Sequence, residues 1–389
     1  MLWKLSPDWS APVIERLEWK TDVLLAYGGS EQRVALRQTP RRSIEFGFLS
    51  GDATKRRVLE AQIWANGAQL WQLPIWTDAT PSTAAISSGA TTIFVDTNYR
   101  DFFAGGQALL LTDTSSLVVD IDSLTGSQLN ISDPVVGNWP IETMIVPVRP
   151  AHLEPSQSVS RFTGDSVYGS ARFLLDDISS VTPETPAATY RSYPVLTIPS
   201  NWTQDLTTEY QRKLDVVDFG NGGIYRDDES GLPVLVQSHV WALEGRAAIY
   251  AFRRWLYARR GRLNALWIPS FMPDVVLVAL VDSSAVQLDV AFFGYSDLYV
   301  QAINRRDLRI ELVDGSVFYR RIIASAVIDA STEQLTINSA LGVDVAPGDV
   351  ARISFMMLGR LDTDAIELAW YWGDYAEVKA NFRSMNNDL

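Results

Sequence analysis

The chain has 389 residues, 47% of them apolar, a formal net charge of −13 and no cysteine. That length and apolar content suffice for two to four domains with cores of their own, and the missing cysteines exclude disulfides, thiolate metal sites and thiol nucleophiles. The acidic balance opposes nonspecific binding to DNA or anionic membranes as the main task. No apolar run approaches the roughly 18–20 residues that span a bilayer, and no apolar signal core precedes Asp8, so neither stable membrane insertion nor a secretory signal is expected.

In chain order, the first helix is expected from Asp52, a good N-cap, packing through Leu59 and Ile63 and stopping at Gly67. An apolar strand, Leu73-Pro74-Ile75-Trp76, follows it, and its proline points to an edge or a bulge. Residues 77–150 read as short strands punctuated by Gly105-Gly106, Thr125-Gly126 and Gly137-Asn138, with Met144, Val146 and Val148 alternating. Residues 182–200, with Pro183, Pro186, Pro194 and Pro199 among Ser and Thr, suit an inter-module linker. A second helix is expected over residues 244–260, with Ala248, Ile249, Phe252, Trp255 and Leu256 on one side and Gly261 as a left-handed stop. Leu308, Ile310 and Leu312, then Ala351, Ile353, Phe355 and Met357, alternate as strands around Asp314-Gly315. Ile366, Leu368, Trp370 and Trp372, turned by Gly373-Asp374 into Val378, Ala380 and Phe382, make a terminal hairpin.

The second half repeats the first in pattern. Trp19-x-x-Asp22 returns as Trp202-x-x-Asp205, Asn66-Gly67 as Arg260-Gly261, and Leu73-Pro74 as Ile268-Pro269. Leu129-Asn130-Ile131 returns as Leu335-Thr336-Ile337, and Gly164-Asp165 … Ala171-Arg172-Phe173 as Gly373-Asp374 … Ala380-Asn381-Phe382. The offset drifts from 183 to 209, as loops of unequal length produce. The expected fold is therefore mainly β, of α+β type: two duplicated β-sandwich modules, each with one helix and each interrupted by a small inserted β-barrel. Residues 1–15 form an N-terminal segment. Residues 16–76 and 151–195 make the first module around an insert at 77–150. Residues 196–276 and 357–389 make the second around an insert at 277–356.

Catalytic chemistry is sparse. The two histidines, His152 and His239, each stand among apolar neighbours and read as structural residues before they read as ligands or bases. The adjacent carboxylates Asp176-Asp177 and Asp227-Asp228 would point to opposite faces of an extended backbone. Gly220-Asn221-Gly222-Gly223 lacks the lysine of a phosphate loop and reads as a tight turn. Ser30, near Gly28-Gly29, lacks nucleophile-elbow spacing. No catalytic, cofactor or metal residue is expected, and the chain is not expected to be an enzyme.

The distinctive stretch is Ala26-Tyr27-Gly28-Gly29-Ser30-Glu31-Gln32-Arg33-Val34-Ala35-Leu36-Arg37-Gln38-Thr39-Pro40-Arg41-Arg42, just before the strand Ser43-Ile44-Glu45-Phe46-Gly47-Phe48. Glu31, Arg33, Arg37, Arg41, Arg42 and Glu45 could form bidentate pairs across a subunit boundary, a geometry that favours Arg over Lys. The bland reading is a solvated strand-edge cluster, each exposed pair contributing roughly 0–1 kcal/mol. The dominance of Arg over Lys favours the interface.

This stretch resembles the N-terminal signature of tail-tip proteins of long-tailed bacteriophages and related gene-transfer particles, in which a glycine turn, Glu-x-Arg and a later Arg-Arg before a strand recur. Phe252-Arg253-Arg254-Trp255-Leu256-Tyr257-Ala258-Arg259-Arg260-Gly261-Arg262 resembles the helix such proteins carry before their ring-facing strand. The inserts, at Leu129-Asn130-Ile131-Ser132-Asp133-Pro134 and Leu335-Thr336-Ile337-Asn338-Ser339-Ala340-Leu341, resemble small β-barrels of phage tail chains. Distal-tail proteins of that type usually carry one ring module, whereas two are expected here, and the second has Tyr210-Gln211-Arg212-Lys213-Leu214 in place of Glu-x-Arg.

The resemblance implies a structural virion protein of the tail tip, a distal-tail or baseplate-hub component made in the bacterial cytoplasm and without cofactors. It implies a homo-oligomeric ring, a trimer with pseudo-six-fold symmetry or a hexamer, around the DNA-ejection channel. Its partners would be the tail tube and tape-measure proteins on one side and hub and tail fibre proteins on the other, with DNA only in transit past an acidic lumen. The alternative from another class is a receptor- or carbohydrate-binding tail adhesin, using exposed tryptophans such as Trp139 to stack on sugars.

Overall fold

The computed structural model of the chain describes residues 1–26, 30–176, 181–201, 205–228, 231–300 and 302–385. The glycine turn at residues 27–29, the landmark at residues 202–204, and Asp177 lie outside the described residues. The fold is mainly β, with antiparallel pairing throughout its large sheet.

Alternation sets the first elements. β1 (Val13–Glu18) turns Val13, Glu15 and Leu17 inward, and a hairpin, β2 (Thr21–Leu25) with β3 (Glu31–Ala35), separates it from β4 (Arg41–Ser50). Asp52 caps α1 (Ala53–Asn66) by accepting the backbone N–H of Thr54 and Lys55 at 2.7 and 2.8 Å. β5 (Leu70–Pro74) follows the helix and pairs with β11 (Met144–Leu153). Six strands follow: β6 (Thr80–Pro81), β7 (Thr92–Phe94), β8 (Gln107–Leu111), β9 (Ser116–Thr125), β10 (Gln128–Ile131) and the long β11 (Met144–Leu153). β12 (Val159–Ser160) and β13 (Val167–Leu175) close the first half.

The second half opens on a small hairpin, β14 (Thr189–Tyr190) and β15 (Tyr193–Pro194). β16 (Thr208–Gln211), the hairpin β17 (Leu214–Asp218) with β18 (Ile224–Asp228), β19 (Val234–Glu244), α2 (Arg246–Arg259) and β20 (Leu266–Pro269) come next. β21 (Gln287–Ala291), the single turn α3 (Tyr295–Leu298), β22 (Asp307–Leu312), β23 (Val317–Val327) and β24 (Thr332–Ile337) lead to the long β25 (Val350–Leu361). β26 (Ala365–Trp372) and β27 (Tyr375–Ser384) form the terminal hairpin.

Eight of these strands run side by side in the order β16-β19-β27-β26-β1-β4-β13-β12. β1 is the seam, with β4 on one edge and β26, more than 340 residues later, on the other. One face of the sheet packs on the main core, where Trp3, Phe46, Phe173, Trp241, Phe252, Trp370 and Phe382 are buried. Two further apolar clusters stand apart, one from Ile86 to Ile145 and one from Val275 to Phe355.

Several expectations shift. Gly67 keeps a right-handed φ of −56°, while α2 ends in two left-handed residues, Arg260 at φ 55° and Gly261 at 61°. Gly261 has no room for a side chain, because a Cβ there would strike Asp364 and lie 3.1 Å from Trp19 Cβ. Met144 and Ala351 are exposed, both sitting at or beside a strand's first residue. Within residues 182–200, read as an inter-module linker, the segment from Tyr190 to Leu196 is docked. Val195 and Leu196 are fully buried, and Tyr190 packs on Trp267 with ring centroids 5.3 Å apart. The tight β14–β15 turn uses Arg191 and Ser192, both at positive φ.

Candidate assembly surface

The seam is built on buried charge. Glu15 points inward from β1, where it accepts Arg42 Nε at 2.6 Å and Trp370 Nε1 at 3.1 Å and lies 3.0 Å from Arg253 Nη2. Arg42 also donates to Asp101, whose other oxygen takes Arg149 at 2.5 Å. Alongside, Arg246 bonds buried Asp78 and reaches Asp374 at 3.3 Å. Burial alone would raise the carboxyl pKa of Glu15, but the Arg253 and Arg42 guanidiniums outweigh it and hold the group below the usual range. Asp101 is depressed in the same way, burial being outweighed by Arg42 and Arg149. Arg42 is also desolvated, yet Asp101 and Glu15 raise its pKa well above the ordinary value. This cluster ties residues of both halves to β1.

The six residues of the arginine signature do not form one patch. Arg42 is 4% exposed and saturated by Glu15 and Asp101, so it cannot reach a neighbouring subunit. Glu31 accepts Arg360 through both oxygens, at 2.7 and 2.8 Å, with both side chains only 5% exposed. The bidentate pairing expected between subunits is made within the chain. Arg33 stands beside Glu31, its pKa lowered by burial first, with Glu31 opposing and Arg360 adding. Arg37 donates to the Glu18 carbonyl at 2.7 Å. Only Arg41 and Glu45 lie on the open face of the sheet, Arg41 opposite Glu18 and Glu45 opposite Arg172. Glu15 had a legible signal, an acid at an inward position of an alternating strand; Asp101, in a loop, had none.

A groove of about 870 Å³ opens beside the end of α1. Ile63, Trp64 and Ala68 form one wall, His152 to Pro155 the floor, and Arg41, Arg172 and Leu174 the other side. Trp64 is 92% exposed, the most open large apolar side chain of the described residues. α1 buries only Leu59, whereas α2 buries eight residues, including Tyr257, which meets Trp19 edge-on at 5.8 Å. His152 is not enclosed. It borders the groove with Nε2 3.6 Å from Asp176.

No protein-family model matches the chain, and no curated protein matches it. Trp139 is buried, its indole N–H bonded to the Val136 carbonyl at 3.1 Å, so it offers no sugar platform. Asp227 and Asp228 face opposite sides of β18, and Gly220 and Gly222 make the β17–β18 turn with φ of 68° and 90°. Among the described residues no cluster of three or more His, Asp or Glu could hold a metal ion, and no helix is long and apolar enough to cross a membrane.

His239 is enclosed by Trp241, Phe271 and Phe382, with Ser200 Oγ 2.7 Å from Nδ1. Burial pushes its pKa down to about 4. Between pH 6.5 and 4 the unfolded chain therefore takes up a proton that the folded chain refuses, and stability falls as the solution is acidified. About 2 kcal/mol should be lost between pH 6.5 and 5. Thermal melts at pH 7.5 and pH 5 should show this loss in the native chain and a clearly smaller one in His239→Asn. The depressed carboxylates titrate below this window.

Proposed function

We propose that the chain is a structural component of a phage tail tip, a distal-tail or baseplate-hub protein whose work is assembly and passage. The observation that carries this is a repeat in strand register. Glu15 faces Ile44 across β1 and β4; 193 residues on, Thr208 faces Gln237 across β16 and β19. Val23 faces Arg33 in the first hairpin, and Val216 faces Arg226 in the second, again 193 apart. Both helices have 14 residues and start 193 apart, at Ala53 and Arg246. Val159 faces Gly169 across β12 and β13; 209 residues on, Leu368 faces Val378 across β26 and β27. Arg226 thus stands where Arg33 stands, although the surrounding sequence has drifted.

This supports two ring modules per chain, β1-β4-β13-β12 and β16-β19-β27-β26, with the apolar clusters of residues 86–145 and 275–355 as the cores of outward inserts. A unit whose strand pairing recurs side by side in one sheet is suited to tile a closed ring when neighbours are related by a rotation that closes. Three chains would supply six modules, matching a six-fold tube to a three-fold hub. The open face of the sheet would line the channel and inserts would meet fibre or hub proteins. On that face Arg16, Arg41, Arg172, Lys379 and Arg383 stand against Glu18, Glu45, Glu209, Glu244, Glu367 and Glu377, so the wall would be close to neutral where an acidic lumen was expected.

The test is the mass of the purified chain in solution, with symmetry-resolved class averages of any ring. A closed trimer with pseudo-six-fold density is expected. A six-fold ring of whole chains would leave one module facing the channel and overturn the symmetry-matching role. A chain that stays monomeric at every concentration would overturn the ring itself.

A further inference from the structure

The geometry points to a head-to-tail junction in which β16 of one copy pairs with the open edge of β12 of a second copy, while the β17–β18 hairpin seats in the groove beside α1. The inference rests on the ring reading and goes beyond it, naming both surfaces and their register.

The chain already contains one such junction. At the seam β26 lies against β1, with Leu368 opposite Glu15 and Glu367 opposite Arg16. β1 is one border strand of its four-strand group and β26 is the border strand of the other. Their counterparts by register, β16 and β12, are the two ends of the eight-strand order. β16 pairs only with β19, and β12 only with β13, among the described residues. Unpaired edges invite strand addition, and one donor edge with one acceptor edge per chain gives a heterologous contact that can close.

The side chains around the seam carry the same correspondence. Trp19 seats on Tyr257 of α2 there. The position of Tyr257 is held in α1 by Trp64, left bare at the groove, and that of Trp19 by Arg212. A guanidinium over an open indole is a favourable exchange for the aromatic pair. The covering hairpin of the seam, β2–β3, has its counterpart in β17–β18, which extends Val216, Phe219, Ile224 and Tyr225 into solvent with exposures of 53, 72, 56 and 60%. Buried charge is also resolved. Where the seam sets Glu15 against Arg253 and Trp370, the open junction would set neutral Thr208 against Glu60 and Arg161, which already pair with each other at 2.8 Å. No unpaired ion is left behind.

Carrying the seam's register across puts Glu209 opposite Ser158, and Thr208 opposite Val159, of the second copy. Directly opposed residues lie about 4.5–5.5 Å apart at Cα, within disulfide reach. Because the chain has no cysteine, two substitutions suffice. Glu209→Cys with Ser158→Cys, oxidised at assembly concentration, is expected to give a ladder of covalent oligomers ending in a closed ring. Glu209→Cys with Val159→Cys, out of register and on opposite faces, is expected to give none. In parallel, Trp64→Ser should weaken assembly at least tenfold, read by mass against concentration, with no change in the monomer's thermal melt. A ring that forms while the matched cysteines stay reduced, or that ignores Trp64→Ser, overturns this junction and leaves the ring standing. A chain that never assembles overturns both.

Discussion

Replacing Glu15 with alanine is expected to destabilise the chain by about 3–5 kcal/mol, the cost of stranding buried cations without their counter-charge. Glu15 is 2% exposed and is the carboxylate that Arg42 and Arg253 share, while Trp370 donates to its second oxygen. Removing it leaves two guanidiniums in a core where Asp101 is already shared with Arg149. Thermal unfolding should show a drop of roughly 4–6 °C. Glu15→Gln should lose less, because its one amide oxygen can still accept from either Arg42 or Trp370 and the side chain keeps its volume. A loss below about 1 kcal/mol for Glu15→Ala would mean that water reaches the cluster and screens it. Since folded-state pKa values of Glu15 and Asp101 are depressed, their contribution is present above about pH 4 and fades as pH falls through those lowered values, a second acid limb beneath that of His239.

The second large effect is expected at Trp3. Its indole is 1% exposed and meets Phe48, Trp71 and Phe173 edge-on at 5.7, 5.7 and 5.1 Å. The backbone N–H of Trp3 donates to the Gln72 carbonyl at 3.0 Å, and its Nε1 to the Leu5 carbonyl at 2.9 Å. Trp3→Ala should therefore cost about 3–5 kcal/mol through a cavity that Phe46 and Phe173, held on rigid strands, cannot fill. Loss of the plug should also free the N-terminal segment, read as faster proteolysis before β1 at temperatures where the rest of the sheet stays folded. Cleavage as slow as in the native chain would show that the backbone bonds to Gln72 and Gly47 anchor the segment without the indole.

Period-two alternation made the terminal hairpin and β22 legible: Ile366, Leu368 and Trp370 turn inward with Glu367 and Ala369 between them, and Leu308 and Ile310 alternate with Arg309 and Glu311, although Arg309 is itself buried. Asp52 and the apolar side of residues 246–259 marked both helices through local chemistry. Partners distant in sequence were not legible. The preference for Arg over Lys in residues 33–42 did not announce the partners: Arg42 is shared between Glu15 and Asp101, and Glu31 pairs through both oxygens with Arg360, 329 residues away and outside the signature. Trp139 looked like a surface ring because nothing local announces that the Val136 carbonyl will accept its N–H. The drifting landmarks suggested a repeat, but its constant spacing from β1 through α2 emerges only from strand pairing. Insertions shift sequence landmarks while hydrogen-bond register preserves the frame.

The seam also sets a timetable for synthesis. β1 is translated some 350 residues before β26. At about 5–20 residues per second, its far edge stays open on the ribosome for roughly 20–70 s. During that interval a nascent first half presents two naked edges, β1 and β12, and has neither β16 nor β26 to offer a neighbour. Polysomes bring such half-chains close together, so emergence of β26 is the event that converts an aggregation-prone intermediate into a subunit with one edge to give and one to receive.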